Sequence, residues 1–361
     1  MYFYPPGYLR ERQLDTVRNW PRELIVNRSF ADVRAGELVS RETSLAERAQ
    51  ISWKQHLPLI NVKCRPKALP KDVVTYLWGG VTVAGPFITD LDNPYALTGY
   101  NIRAMALYRS VLRRILRGHR CVEIRCLSRA CKKTLGLLFG GAVEQRAAVH
   151  YPYIRRRPNE IAGSAARDCR FLFVGTQFEI KGGAALLRAF RRVYAEEPMA
   201  RLDLITHLPA EYREMAESCP AITVHEARFL REEIFDQFMA KADVLVHPTY
   251  IESFGMVVLE ALAHGLAVIT TDVYALKEMV VSGVNGYLLV PPISIWDGYL
   301  PSKYYYDWPR FKDHVRRVDT SVFEESLVEA MLELARNPER RMKTRQASVE
   351  LLNREFLNVS A

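Results

Sequence analysis

The stretch that decides the fold covers residues 246–271 and reads VHPTYIESFGMVVLEALAHGLAVITT. Its apolar beginning predicts the end of a strand that stops before Pro248, because proline cannot donate to the ladder of a central strand. Residues 254–264 then predict a helix, and residues 266–270 predict a second buried strand. This order of elements places the helix N-terminus at the carboxyl edge of a parallel sheet, where α/β folds bind anions.

Three small residues define the ends of the predicted helix. Ser253 stands at the expected N-cap, where its hydroxyl would accept a hydrogen bond from an amide of the first turn. Gly255 leaves the backbone open to close approach by a ligand. Gly265 is expected to end the helix in the left-handed conformation. Together they predict a short helix whose first amides face a ligand.

Two carboxylates frame this helix, Glu252 just before it and Glu260 within it. In one continuous helix their spacing covers roughly 12 Å and returns to nearly the same face. That distance matches a sugar and a ribose joined by a diphosphate, so each carboxylate would hold hydroxyls at one end. The alternative is that Glu252 is a solvated loop residue and Glu260 a surface helix residue.

The surrounding sequence resembles a known enzyme family. ESFGMVVLEALAHGLAVITTD (residues 252–272), followed by VVSGVNGYLLVPP (residues 280–292), resembles the retaining glycosyltransferases of family 4, the glycosyl transferases group 1. Their motif is a Glu, seven residues and a second Glu within an E-x-F-G…E-A-x-A-x-G block. FLFVGTQFEIKGGAALLRAF (residues 171–190) resembles the entry to the C-terminal domain of the same family. The resemblance is faint before residue 171.

The resemblance implies the GT-B fold, an α/β architecture of two Rossmann-like domains whose parallel sheets face a central cleft. A chain of 361 residues suits two domains. Residues 1–168 would form the N-terminal, acceptor-side domain, and residues 169–340 the C-terminal domain that binds the nucleotide sugar. Residues 341–361 would form a helix that, in this fold, often crosses back to the N-terminal domain. Because no glycine-rich loop follows an early strand, an abbreviated N-terminal domain is an open alternative.

Local patterns add four further expectations. A short strand is predicted over residues 23–26, a helix over residues 45–56, and a basic helix over residues 100–117. Residues 294–319 form an aromatic, basic segment without clear periodicity. For that segment, membrane contact, acceptor contact and a packed surface loop are all open.

The resemblance also assigns roles to the residues that match the family's motif. Glu252 would bind hydroxyls of the donor sugar and stabilise an oxocarbenium-like transition state, and Glu260 would bind the ribose. Lys181 would bind the diphosphate of the donor. The diphosphate would also meet the backbone amides of Ser253, Phe254, Gly255 and Met256.

Other assignments carry alternatives. Gly175 and Thr176 form the turn beside the diphosphate, but Thr176 stands where the family has an arginine, which puts donor affinity or activity in doubt. His225 lies where the fold stacks the nucleobase; the alternative is a satisfied histidine at a sheet edge. Asp90 and Asp92 follow a predicted strand and would contact the transferred sugar as catalytic residues. Their alternative is an Asx-turn that caps the next helix.

Charge is unevenly distributed along the chain. Residues 1–168 hold 28 Lys and Arg against 14 Asp and Glu, a balance of +14, and the remainder has a balance of −5. A basic half indicates anionic partners. No recognition-helix, RRM or zinc-finger pattern is present, so nucleic acid is not expected. The favoured partner is an anionic membrane surface, met peripherally from the cytoplasm, with a solvated basic face as the alternative.

The expected function follows from these observations. No apolar run approaches the ~20 residues that span a bilayer, and the N-terminus lacks a signal-peptide pattern, so a cytoplasmic protein is expected. The six cysteines form no CxxC pair, and neither a metal nor a cofactor is expected. The resemblance implies transfer of a sugar, with retention, from a nucleotide-diphosphate sugar to a glycan or lipid-linked acceptor of the cell envelope. A degenerate donor-binding subunit and a GT-B sugar-nucleotide epimerase are the alternatives; base, sugar, acceptor and oligomeric state stay open.

Overall fold

The computed structural model describes residues 1–5, 9–33, 58–157, 168–305 and 308–357. The chain forms two compact units, Met1–Tyr153 and Ile154–Ala361. Each unit contains a parallel sheet with helices packed on it. The helix predicted over residues 45–56 lies outside the described residues, and the domain boundary expected after residue 168 remains a prediction.

The first unit is built on five parallel strands whose order in the sheet follows the chain. The strands are β1 (Tyr2–Phe3), β2 (Thr75–Trp78), β3 (Phe87–Leu91), β4 (Cys121–Cys126) and β5 (Ala147–Val149). The helices are α1 (Glu11–Arg18), α2 (Ile102–Arg117), α3 (Arg129–Phe139) and α4 (Gly141–Glu144), with 3₁₀ turns at Arg22–Leu24, Arg28–Asp32 and Pro94–Thr98.

Of two elements predicted from local sequence in this unit, one is confirmed and one is wrong. The predicted basic helix is confirmed as α2, which buries Met105 and Leu112. The strand predicted over residues 23–26 is wrong, because a 3₁₀ turn stands there. Leu24 is 57% exposed and Ile25 is buried in the core, while the amide of Val26 donates to the carbonyl of Met1, beside β1, at 2.9 Å.

The second unit is built on six parallel strands in the order β11-β10-β9-β6-β7-β8. The strands are β6 (Arg170–Val174), β7 (Arg201–Thr206), β8 (Ile222–Glu226), β9 (Val244–His247), β10 (Ala267–Thr271) and β11 (Gly286–Leu289). The chain order reverses between β6 and β9, which pair directly. Doubly wound sheets bind ligands at the carboxyl ends of the strands at such a switch point.

Helices cover both faces of this sheet and complete the unit. They are α5 (Gly183–Glu196), α6 (Arg213–Glu217), α7 (Arg231–Ile234), α8 (Met256–Ala263), α9 (Leu276–Met279), α10 (Trp308–Arg317), α11 (Ser321–Arg336) and α12 (Pro338–Leu351). A 3₁₀ turn at Ala210–Tyr212 precedes α6, and π-helical turns at Phe235–Met239 and Leu352–Phe356 follow α7 and α12. Of the helices that the structure describes, none combines the length and the apolar character needed to cross a bilayer.

The segment over residues 294–319 is more regular than its sequence indicates. It forms a short antiparallel hairpin, β12 (Trp296–Asp297) and β13 (Leu300–Pro301), followed by α10. Phe311 and Val315, four residues apart on α10, are both buried and give the helix its apolar side. Trp308, Phe311 and Val315 stand at positions i, i+3 and i+7, the spacing of one helical face, so the expectation of no clear periodicity is wrong for α10.

A buried ionic cluster connects α12 to the sheet of the second unit. Asp243, just before β9, accepts a hydrogen bond from Arg345 of α12 at 2.8 Å. The guanidinium of Arg345 also donates to the carbonyl of Gly265 at 2.9 Å. Arg341 of α12 is 2% exposed and lies 3.9 Å from the Asp243 carboxylate. The expectation that residues 341–361 cross back to the N-terminal domain remains a prediction.

Candidate functional site

The candidate site lies at the switch point of the second sheet, where the loops after β6 and β9 meet. The backbone amide of Tyr250 donates to the carbonyl of Ile180 at 3.0 Å and joins the two loops. The Lys181 ammonium reaches the same loop, donating to the carbonyl of Ile251 and to Oε2 of Glu252, both at 2.9 Å. The structure therefore brings together two of the sequence-predicted site residues, Lys181 and Glu252.

Glycines allow the two loops to approach. Gly182 has φ +76°, and a Cβ there would lie 2.0 Å from the carbonyl oxygen of Pro248. Gly255 has φ +98° and directly precedes α8, and a Cβ there would lie 2.4 Å from a methyl group of Leu276. Only glycine adopts such backbone conformations without strain at these close approaches.

The predicted start of the helix is wrong by about two residues. The helix α8 begins at Met256, and the residue before it, Gly255, is left-handed and caps no amide with a side chain. Ser253 is therefore not the N-cap; its amide instead donates to Oε1 of Glu252 at 3.2 Å. The predicted end is confirmed, since Gly265 follows the helix with φ +65°.

The Glu252 carboxylate contacts two side chains, the charged Lys181 and the neutral His247. Its Oε2 lies 2.9 Å from the Lys181 ammonium and 3.3 Å from Nε2 of His247. Burial raises the pKa of Glu252, but the charge of Lys181 and the hydrogen bond from His247 outweigh it, so the pKa is well below the usual range. At neutral pH, Glu252 is an anion that accepts hydrogen bonds and donates none.

His247 was missed by the sequence analysis. Burial lowers its pKa, more than Glu252 raises it, so the imidazole is neutral near pH 7. Because a carboxylate only accepts, the proton lies on Nε2, and Nδ1 has no hydrogen-bond partner among the described residues. The signal in the sequence is its position, directly before the proline that ends β9 and five residues before Glu252.

Glu260 lies inside α8 and is paired with a second missed residue. Nε of Arg231 donates to Oε1 of Glu260 at 2.7 Å, and both side chains are 13% exposed. The Arg231 guanidinium also lies 5.2 Å from the ring centre of Phe235. Because Glu252 precedes the helix, the spacing of roughly 12 Å expected for one continuous helix does not apply.

The turn after β6 and the strand β8 hold the other predicted donor residues. Gly175 is half-buried, and its carbonyl accepts a hydrogen bond from the Thr206 hydroxyl at 2.7 Å. Thr176 beside it is exposed and uncharged. His225 lies on β8, at the edge of the sheet, with Nε2 at 2.7 Å from Oδ1 of Asp203. These contacts agree with the satisfied-histidine alternative, and base stacking by His225 remains a proposal.

Asp90 and Asp92 lie at the carboxyl end of β3, in the first unit. Asp90 is 4% exposed and receives hydrogen bonds from Arg12, at 3.0 and 3.1 Å, and from the Tyr76 hydroxyl, at 2.6 Å. Asp92 is half-buried and accepts from the Tyr100 hydroxyl at 3.1 Å. Burial raises the pKa of Asp92 against the opposing effect of Arg12.

The helix caps near these aspartates come from asparagines. Asn93 accepts from the amide of Tyr95 at 3.0 Å and caps the turn Pro94–Thr98. Asn101 accepts from the amide of Ala104 at 3.0 Å and caps α2. Neither aspartate is the cap residue of these elements. Their catalytic assignment remains a proposal.

Comparisons with known proteins bear on the stretch that contains this site. Residues 168–297 match the glycosyl transferases group 1 family. The chain is also 33% identical, over 132 residues, to a D-inositol 3-phosphate glycosyltransferase of Geodermatophilus obscurus. That alignment covers 33% of this chain and 29% of the relative. The chain spans about a third of the length of the curated relatives it matches.

Solved structures match over nearly the whole chain. WaaG, a glycosyltransferase involved in lipopolysaccharide biosynthesis, has a TM-score of 0.54 at 17% identity, covering 99% of this chain and 95% of WaaG. HepE of Anabaena, in complex with UDP-glucose, has a TM-score of 0.52 at 13% identity, covering 98% of this chain and 97% of HepE. These likenesses show the fold, and the predicted α/β, GT-B class is confirmed.

Proposed function

We propose that this protein is a retaining, metal-independent glycosyltransferase of family 4. It would transfer a sugar from a nucleotide-diphosphate sugar to a glycan or lipid-linked acceptor in cell-envelope polysaccharide synthesis. The observation that carries the proposal is the ion pair of Lys181 and Glu252 at the switch point, inside the stretch that matches group 1 glycosyltransferases. WaaG, named for lipopolysaccharide biosynthesis, supports the class of acceptor.

The charges of the site suit the departure of a diphosphate. When the bond between the anomeric carbon and the diphosphate breaks, negative charge grows on the diphosphate and positive charge on the sugar. An ammonium has three donors, and within the described part of the chain Lys181 uses two of them, on Ile251 and Glu252, which leaves the third for a phosphate oxygen. The anionic Glu252 would accept sugar hydroxyls and stabilise the positive sugar.

The other assigned residues complete the proposal. Glu260, oriented by Arg231, would accept hydroxyls of the ribose, and His225 would lie against the base. The backbone amides of Gly255 and Met256 precede the first hydrogen bonds inside α8, which Val258 and Leu259 donate to Gly255, and would meet the phosphates beside Gly175 and Thr176. The amide of Ser253 donates to Glu252 instead.

The two aspartates of the first unit receive separate proposals. Asp92, with its raised pKa, would accept a hydrogen bond from a sugar hydroxyl, because a more basic carboxylate is the better acceptor. Asp90 already accepts hydrogen bonds from Arg12 and Tyr76, and we propose that it contributes to catalysis indirectly, by holding the end of β3, and therefore Asp92, in place.

A degenerate donor-binding subunit is the second candidate. It is favoured by Thr176, which is exposed and uncharged where the family has an arginine. With one cation fewer beside the diphosphate, donor binding would persist more readily than catalysis. The two candidates differ in one result, the transfer of sugar by the isolated chain.

A panel of nucleotide sugars tests the proposal. UDP-, GDP-, ADP- and dTDP-glucose would be compared by thermal shift, since a ligand at a hundred times its Kd stabilises by about 2.7 kcal/mol. HepE binds UDP-glucose, which makes that compound the first to test. We expect one base to be preferred and its sugar to be transferred to an acceptor glycan. Binding without transfer would favour the subunit, and conversion of the free nucleotide sugar to an epimer would favour an epimerase.

Lys181→Ala is expected to weaken the binding of the nucleoside diphosphate about ten- to a hundredfold and that of the free nucleoside little. A hydrogen bond to a charged group contributes roughly 1.5–3 kcal/mol, and the nucleoside lacks the phosphates. Titration calorimetry would measure both ligands. The matched control is Lys241→Ala, which removes an exposed lysine of the same unit. Equal losses for both ligands would show that Lys181 does not bind phosphate.

We also propose that the first unit rests on anionic lipid at the cytoplasmic membrane face. Helix α2 contains no acidic residue, and Leu107 and Val111 on it are 65% and 48% exposed. Among the residues that the structure describes, its arginines have no acidic partner. These are Arg103, Arg109, Arg113, Arg114 and Arg117.

Replacing both Arg109 and Arg113 by Ala should weaken binding to anionic vesicles roughly thirtyfold at low salt. Each basic side chain near such a surface contributes about 1 kcal/mol, and salt screens it beyond about 8 Å at physiological ionic strength. Co-sedimentation with vesicles of graded anionic lipid content would measure the effect. Replacing Arg192 and Arg336, which are paired with glutamates, gives a control of equal charge. Equal losses in both double variants, or no binding by the wild type, would contradict the proposal.

A further inference from the structure

We infer that Trp296, in the hairpin segment of residues 293–305, is a positioning residue for Glu252 in the donor-sugar site. Nε1 of Trp296 donates to the backbone carbonyl of Glu252 at 2.7 Å, across 44 positions of the chain. The indole is 6% exposed. The inference rests on the proposed function, because it concerns the same carboxylate.

Two aromatic side chains hold the ring of Trp296 in place. Its ring stacks on Tyr274, with ring centres 4.1 Å apart and planes 15° apart, and meets the edge of Tyr305 at 5.3 Å. Tyr274 follows β10 and has φ +49°, a conformation that residues other than glycine rarely adopt. Both residues are buried and their rings are in contact, so the ring positions of Tyr274 and Trp296 depend on each other.

The hairpin segment is attached to the loop after β9 at two points. Besides the indole contact, the amide of Ile295 donates to the carbonyl of Tyr250 at 3.4 Å. Within the segment, Ser302 donates through its hydroxyl to the carbonyl of Ser294, at 2.7 Å, and through its amide to Ile295, at 2.8 Å. These bonds favour the packed-segment alternative for Trp296, whose buried ring is not presented to a membrane.

The indole bond acts on the carboxylate through one peptide plane. The carbonyl of Glu252 and the amide of Ser253 belong to the same planar unit, so fixing one fixes the other. That amide donates to Oε1 of Glu252 at 3.2 Å, whereas Lys181 and His247 hold Oε2. Loss of the indole bond removes one contact that holds this plane and weakens the bond from the Ser253 amide to Oε1, while Oε2 keeps both partners.

Because different partners hold the two oxygens of Glu252, loss of the indole bond is expected to impair the binding of only one part of the donor. Glu252 would contact the sugar of the donor, and the base, ribose and diphosphate would bind elsewhere. A loosened Oε1 should therefore weaken the recognition of the sugar and leave the recognition of the nucleoside diphosphate intact. A purely structural role for Trp296 would weaken both equally, through partial loss of the folded site.

The test is the Trp296→Phe variant, which keeps a stacking ring and removes the indole N–H. Affinities would be measured by calorimetry for the tightest-binding compound among UDP-, GDP-, ADP- and dTDP-glucose and for its parent nucleoside diphosphate. We expect the nucleotide sugar to bind about three- to tenfold more weakly, the size of one hydrogen bond, and the nucleoside diphosphate to change less than twofold. Sugar transfer, where present, should slow by a similar factor.

Tyr304→Phe is the matched control, because Tyr304 in the same segment contacts Phe311 and His314 of α10 instead of the loop. It should change neither affinity. A Trp296→Phe protein with both affinities unchanged, or with both weakened equally, would overturn the inference. The readout does not require catalysis: a wild type that binds but transfers nothing refutes the proposed function alone. A wild type that binds none of the four nucleotide sugars refutes both.

Discussion

Glu252→Gln is expected to lower the turnover of sugar transfer by about a hundred- to a thousandfold, the cost of removing one aligned electrostatic group from a transition state. Glutamine keeps the size and the hydrogen-bonding oxygen of the side chain but removes its negative charge. The pKa of Glu252 lies well below its usual range, so the wild-type side chain is fully ionised at neutral pH and the substitution removes a whole charge. The affinity for the nucleoside diphosphate should stay within about threefold, because the phosphates and the ribose meet other groups.

The companion variant is Glu260→Gln, which should have the opposite profile. Glu260 lies inside α8 and is held by Arg231, on the proposed ribose side of the site. Its loss should weaken nucleoside diphosphate binding and leave the turnover of bound donor closer to that of the wild type. Steady-state kinetics and calorimetry on both variants would separate the two carboxylates. Unchanged turnover in Glu252→Gln would refute the assignment of Glu252.

The same variant has a pH signature in stability. A carboxylate whose folded-state pKa is depressed stabilises the fold above the pKa of about 4.3 that it has in the unfolded chain. This contribution is lost as the pH falls towards the depressed value. The difference in unfolding free energy between the wild type and Glu252→Gln should therefore be larger at pH 7 than at pH 3. A constant difference would show that Lys181 and His247 do not stabilise the ionised form.

The part of the fold that could be predicted is the part that local sequence encodes. Apolar runs bounded by glycine and proline predict β6, β9 and β10, and Gly265 marks the end of α8. The start of α8 could not be predicted in the same way. Ser253 has a side chain that commonly caps helices. In the structure, however, the loop residue Glu252 contacts Lys181, and the helix begins only after Gly255.

The contacts that the site residues make could not be predicted from local sequence. Trp296 and Arg231 contact the two motif glutamates from 44 and 29 positions away, and neither position has a periodicity that would single it out. The partner of Asp90 could not be predicted either, because Arg12 lies 78 positions earlier in the chain. Such pairs arise from the packing of elements distant in sequence, so spacing rules find the carboxylates but not what holds them.

Asp243→Asn is expected to destabilise the second unit by about 3–5 kcal/mol, the cost of removing one partner from a buried ionic cluster. The Asp243 side chain is 8% exposed, and those of Arg341 and Arg345 are 2% and 7% exposed. Asparagine keeps the shape and one acceptor, so no cavity forms. The Arg345 guanidinium would then stay buried without the carboxylate that it now contacts. Burial lowers the pKa of Arg345 and the charge of Asp243 raises it, so the carboxylate favours the charged form of Arg345.

Because Asp243 also accepts from the amide of Arg170 at 3.0 Å, its loss acts on β6, β9 and α12 together. Urea unfolding followed by circular dichroism would measure the free energy, and the melting temperature should fall by roughly 10 °C. The matched control is Glu325→Gln, which breaks the exposed pair with Arg192 and should leave stability nearly unchanged, since water screens that pair. If Asp243→Asn were as mild as the control, the two arginines would have to be solvated in the native protein. The terminal helix would then be held by its apolar contacts and its bonds to backbone carbonyls, with no net contribution from the ionic cluster.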